Sequence, residues 1–244
     1  MPIVLTFAVL GVAVLGGFAQ RASGMGASLI ASPLLALAVG PRTGVAVTNL
    51  LGIVVALAVL ATSARRLDIP KAKILVPAGL IGVLPGTIAF HLLPENWLQV
   101  TVGAVTALGL ASVSIARRLR ATPTPARTAA AGLASGVSSA VAGAGGPPLA
   151  IYAVATDWPQ AQFAATCQIS FALQAAAALA VKGMPALPIS LLGGAIAATL
   201  AGVAAAHLLS GRINAAHARR AAIVIAAVAT ALTTVHAVIG LAGH

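Results

Sequence analysis

Ten apolar runs follow one another from Ile3 to Leu241, separated only by short polar or glycine-rich breaks, and this succession limits what the chain can fold into. The runs are Ile3 to Ala19, Ala22 to Val39, Thr43 to Ala64, Ile74 to Leu93, Trp97 to Ala116, Thr128 to Ala142, Gly146 to Ala155, Gln160 to Val181, Leu187 to Leu209 and Arg219 to Leu241. Crossing about 30 Å of hydrocarbon takes roughly twenty apolar residues in a helix. Most of the runs meet that length, whereas Thr128 to Ala142 and Gly146 to Ala155 are each too short. The glycines between those two read as a break in one re-entrant or discontinuous element. Eight to ten hydrophobic helical segments therefore make an all-α polytopic membrane protein, two of whose elements are broken or re-entrant.

Composition agrees. Only 7% of the residues are charged and the mean hydropathy is +1.05, whereas a soluble domain carries about a quarter charged residues to cover its core. The single cysteine, Cys167, excludes a disulfide framework. A net charge of +11 would suit a nucleic-acid binder, but the cations lie in short clusters between apolar runs with no aromatic platform beside them. We therefore expect no nucleic acid partner and a lipid bilayer instead. No Lys or Arg precedes the first run, so it lacks the basic region of a signal peptide and reads as the first span of the mature protein.

Sliding the chain against itself by 119 positions lays Gly17, Gly24 and Gly26 on Gly136, Gly143 and Gly145, and Asn49 on Gln168. Further on, an offset of 116 lays Ala89 to Leu93 on Ala205 to Leu209. The reading is a first transmembrane repeat over 1–116, a basic cytoplasmic linker over 117–127 and a second transmembrane repeat over 128–244. Eleven of the fourteen Lys and Arg lie after the third run, after the fifth, and between the ninth and tenth. These three loops share one side, which is therefore cytoplasmic. Arg42, Glu95 and Lys182 then fall outside. With an odd number of crossings in each half the repeats are inverted, as in many secondary transporters. The expected location is the inner (cytoplasmic) cell membrane, spanned several times. The sequence leaves the oligomeric state open, a homodimer being one arrangement.

The stretch from Arg21 through Ser23, Gly24 and Gly26 to Ser28, and its counterpart Gly143, Gly145, Gly146 and Pro147, interrupt helices at membrane depth. Broken helices present free N–H groups and a positive dipole end, which suit a small anionic substrate; close helix packing is the alternative. Recurrence in both halves favours the binding site. Arg21, costing around 2.5–3.5 kcal/mol at the centre of a span, attracts a substrate anion or snorkels to the interface. Asn49 and Gln168 bind substrate, or else each other and the broken backbone. Tyr152 faces the cavity or anchors at an interface, and Thr48 and Cys167 pack. His91 and His207 sit near helix ends, where an interfacial position competes with a proton-carrying one.

Asp68, Glu95 and Asp157 are the only acids and lie in or near loops, which disfavours an intramembrane carboxylate relay. There are no clustered metal ligands, no P-loop and no nucleophile–base pair, so we expect no cofactor, no metal and no enzyme.

At these residues the chain resembles the sulfite exporter TauE/SafE family of membrane transporter proteins. The carriers are Gly17, Ser23 to Gly26 leading to Pro33, Ala46 to Asn49, Gly143 to Leu149 with Tyr152, and Phe163 to Thr166. The first half departs from the family's richer glycine pattern. The resemblance implies export of sulfite, sulfoacetate or a related organosulfonate. An anion channel, a permease for another small solute or metal cation, and a non-transporting membrane assembly protein are the alternatives.

Overall fold

The computed structural model describes residues 3–23, 26–116, 119–209 and 223–235. Among them every regular element is helical: α1 (Ile3–Ser23), α2 (Gly26–Val39), α3 (Pro41–Ser63), a short 3-10 turn (Ala64–Arg66), α4 (Ile69–Leu92), α5 (Glu95–Ala116), α6 (Pro125–Ala142), α7 (Gly146–Ala155), α8 (Gln160–Lys182), α9 (Ile189–Leu208) and α10 (Ile223–Val235). The expected last run, Arg219 to Leu241, lies partly outside the described residues. Five helices, Ile3–Arg21, Pro41–Arg66, Ile69–Leu92, Gln160–Lys182 and Ile189–Leu208, are long and apolar enough to cross a membrane.

Proline and side-chain caps set where these helices begin. Proline occupies the first turn of α3, α4, α6 and α7, where its missing N–H costs nothing. Asp68 accepts the N–H of Lys71 at 3.1 Å to open α4, and Thr124 accepts that of Arg127 at 3.3 Å to open α6. The second expected run is shortened by the break before it. At 14 residues α2 is about 21 Å long, and α7 at 10 residues about 15 Å, so neither crosses alone. Two short helices thus follow directly on longer ones, α2 on α1 and α7 on α6.

Glycine lets the bundle close where lipid supplies no hydrophobic drive. A Cβ on Gly136 would stand 1.9 Å from Gly79 O, and one on Gly82 would stand 2.2 Å from Leu133 O, so α4 and α6 touch backbone to backbone. The same happens between α1 and α9: a Cβ on Gly17 would meet Thr199 O at 2.3 Å, and one on Gly202 would meet Val14 O at 2.2 Å. The two crossings correspond when α1 is advanced by 119 positions to α6, and α4 by 120 to α9. An offset of 116 for the latter pair is therefore corrected by four residues, one helical turn. Apolar repetition leaves such a slip invisible, because alanine and leucine recur on every turn. His91 and His207 are then not equivalent positions. The third inter-half contact is α3 against α8. Outward faces such as Ile81, Leu84 and Ile88 of α4 are exposed and apolar, as lipid contact requires.

One polar cluster sits where the 3-10 turn meets α4. Asp68 pairs with Lys71 at 2.5 Å, Lys71 Nζ lies 4.8 Å over the Trp158 ring, and the Asp68 N–H donates to Thr166 Oγ1 at 3.0 Å. Burial pushes the Asp68 carboxyl up, but its hydrogen bonds and charge pairing with Lys71 outweigh this and hold it below the usual carboxylate value. Trp158 Nε1 is buried without a well-formed hydrogen bond, yet its dipole also favours the Asp68 anion.

Two predictions follow from these contacts. Gly136→Ala forces α6 off α4 and lowers stability by about 1–3 kcal/mol, while Gly193→Ala, with open space around it, does not; thermal unfolding in detergent compares them. Because the Asp68 pKa is lowered on folding, its contribution is present above about pH 4 and lost as pH falls through the folded value. Asp68→Asn should remove that acid-labile part, measured as the slope of unfolding temperature against pH.

Candidate functional site

Between the two breaks lies a cavity of about 610 Å³, its open mouth included. Its polar wall comes from Gln20 of α1, Ser28 of α2, Thr48 and Asn49 of α3, Ser139 of α6, Gln168 of α8 and Thr199 of α9. Gly143, Gly145 and Gly146 complete it from the second break. The wall carries no carboxylate.

Five of the expected site residues meet here: Asn49, Gly143, Gly145, Gly146 and Gln168. Gly143 takes φ +69°, the left-handed conformation that ends α6, and a Cβ there would press on Thr48 at 3.1 Å. Pro147 and Pro148 carry no N–H, so the start of α7 offers a ligand only the N–H groups of Gly145 and Gly146.

The others fall elsewhere. Pro147 is buried and turns its ring to Gly109 of α5, where a Cβ would stand 3.0 Å from Cγ. Tyr152 is buried too and does not line the cavity: its hydroxyl is 2.7 Å from Thr128 Oγ1 and its ring stands edge-on to Trp158. Arg21 is not in the wall; near the end of α1, its Nη2 lies 3.1 Å from His207 Nδ1 of α9. Ser23 closes α1 and Gly26 opens α2, beside the wall residues Ala27 and Ser28. Gly24 lies outside the described residues. Thr48, expected only to pack, also lines the cavity, with its hydroxyl returned to Gly44 O at 2.8 Å.

The two amides reach across the molecule in matching ways. Gln168 Oε1 accepts from Gln20 Nε2 at 3.5 Å, and Gln20 Oε1 accepts the N–H of Ala27 at 3.1 Å, just past the first break. Asn49, in the amide orientation that satisfies both its ends, donates to Ser139 O at 3.1 Å and accepts from Lys182 Nζ at 3.0 Å. Gln20 and Ser139 are themselves 119 positions apart. Each long-helix amide therefore fastens the residue just before the opposite break.

The second break is held by further side chains that sequence inspection missed. Ser135 Oγ donates to Gly145 O at 2.8 Å and lies 3.1 Å from Gln174 Oε1, and Gln174 Nε2 donates to Ser170 Oγ at 2.8 Å. All three side chains are fully buried. Their signal was present only as polar residues spaced four apart in an apolar helix, Ser170 and Gln174. Lys182 was read as an outer loop charge, but it is the last residue of α8. Its ammonium turns back to Ala140 O and the Phe90 ring.

Replacing Gln174 by Leu leaves Ser135 and Ser170 short of a partner. At about 1–3 kcal/mol for an unmet buried group, the variant should unfold at a clearly lower temperature than the parent, with the helical circular dichroism signal intact at 20 °C or about room temperature.

The chain matches the family model described as Sulfite exporter TauE/SafE over residues 9–233. No curated protein and no solved structure matches it. A match that runs through both breaks and both amides, over nearly the whole chain, places this protein in the TauE/SafE family of sulfite exporters.

Proposed function

We propose that the chain is a secondary transporter of the inner cell membrane that exports a small anion, sulfite or an organosulfonate such as sulfoacetate, by alternating access. The observation that carries this reading is that Asn49 and Gln168, 119 positions apart, line one cavity between two broken helices. Inverted repeats with paired breaks form their site in that way. The matched glycine crossings of α1 on α9 and α4 on α6 support the same symmetry. In this reading the first repeat, 1–116, and the second, 128–244, rock about the α3–α8 contact. Residues 117–127 join them on the cytoplasmic side.

Anion chemistry is favoured by what the wall contains. Amide N–H groups of Asn49 and Gln20, hydroxyls and the N–H groups of Gly145 and Gly146 are donors, and the wall offers no carboxylate to repel an anion or to hold a cation. A metal cation would find neither imidazole nor carboxylate among the lining residues. Gln20, Gln168 and Phe171 line the cavity, a setting for a small substrate.

In proteoliposomes, uptake of radiolabelled sulfite or sulfoacetate is expected to saturate and to respond to an imposed potential or pH gradient. Asn49→Ala and Gln168→Ala should each lose about tenfold in flux at low substrate, equivalent to ~1.4 kcal/mol, while remaining folded. Flux that does not saturate would establish a channel instead. Undiminished transport in both variants would remove the site.

A further inference from the structure

Lys182 stands behind the wall of this cavity, where its ammonium meets the lining residue Asn49, and the reading above gives it no task. Its ammonium touches Ala140 O of α6, Asn49 Oδ1 of α3 at 3.0 Å, and the face of Phe90 of α4 at 4.3 Å. The chain has three acids, and none pairs with it: Asp68 is held by Lys71, Glu95 faces Arg42 at 3.9 Å, and Asp157 is exposed. A partly buried ammonium without a carboxylate is costly to keep. What offsets the cost here is the negative end of α6, whose last carbonyls are freed by the break at Gly143, together with the end of α8 itself. A second cation, Arg42, lies 5.6 Å from the same Phe90 ring. Arg42 is neutralised by Glu95 and by the carbonyls of Phe90 and Leu93, which leaves Lys182 as the charge near the cavity without a carboxylate partner.

The ammonium has a further effect on Asn49. A primary amide presents either its oxygen or its NH₂, and an isolated Asn49 at the wall would be free to offer a cavity ligand either one. Lys182 has only donors, so it takes the oxygen. The NH₂ is then committed to the other direction, with one hydrogen on Ser139 O and the second left for the cavity.

We infer that Lys182 is the positioning residue that makes this site select anions: it fixes Asn49 with its donor end toward the substrate and supplies the nearby positive charge. This rests on the transport reading for its biological meaning, but binding alone tests it. An oxyanion of the sulfite or sulfonate class is the ligand favoured, and a neutral molecule of like shape, such as dimethyl sulfone, gains nothing from either effect.

The test uses the full-length protein in detergent and in proteoliposomes, with sulfite, sulfoacetate and dimethyl sulfone as probes. Half-saturation is read from ligand-induced thermal stabilisation and from flux. Lys182→Met keeps a stem on Phe90 without charge, and should weaken sulfite by about tenfold or more while leaving dimethyl sulfone unchanged. Lys182→Arg should retain sulfite within about threefold. Asn49→Asp gives Lys182 a carboxylate partner and removes the donor, and it should lose sulfite while staying folded, which covers the case in which Lys182→Met does not fold. Parent-like sulfite affinity in Lys182→Met or Asn49→Asp, or equal loss in the Met and Arg variants, would overturn the inference and leave transport standing. Lys182-dependent binding without any flux would overturn the transport reading and support the inference. A parent protein that neither binds nor moves sulfite or sulfoacetate would overturn both.

Discussion

Hydrocarbon offers no hydrogen bonds, so a helix that ends inside it must have its last carbonyls met by the protein itself. The rest of this structure depends on how that requirement is satisfied at the end of α6. Ser139 O receives the N–H of Gly143 at 2.9 Å and the amide of Asn49 at 3.1 Å. Ala140 O receives Lys182, and Ala142 O receives the hydroxyl of Ser32. The caps come from α3, α8 and α2, three helices that are remote in sequence. One interrupted helix therefore ties the two halves of the chain together, and the cavity is the space left where those caps converge.

The same groups then serve two ends. Asn49 and Lys182 satisfy backbone acceptors in the described state, and they are also the groups that an anion would approach. In the proposed reading, an entering oxyanion would compete for donors that already have neutral partners. Neutral acceptors suit this role better than a carboxylate would, because a buried ion pair holds its cation far more tightly. The close glycine crossings supply the opposite property. α1 on α9 and α4 on α6 meet backbone to backbone, so each pair is closely packed.

Much of the architecture was legible before any coordinate. Run length marks most of the helices, the glycine and proline cluster at 143–148 marks the step from α6 to α7, and Asn49 and Gln168, paired by the offset of 119, line one cavity. Less was legible where a residue's neighbours lie far along the chain. Tyr152 follows the second break by one turn, a spacing that suits either a cavity-facing or an interfacial hydroxyl. It instead meets Thr128 from the preceding helix and Trp158 from the following loop. Arg21 lies between two apolar runs, but its helix continues to Ser23, which carries it to the end of α9 and His207.

What the sequence by itself determined is the set of elements: apolar length, proline at helix starts and glycine at breaks act locally, through backbone geometry and the cost of taking polar groups into lipid. What only the tertiary structure decided is which polar side chains meet. Ser135, Gln174 and Lys182 look like isolated polar residues in or beside apolar runs, and their meaning depends on the rotation of one helix against another. That rotation is set by where glycine permits backbones to touch, a contact between residues as far apart as Gly17 and Thr199 that no local pattern records.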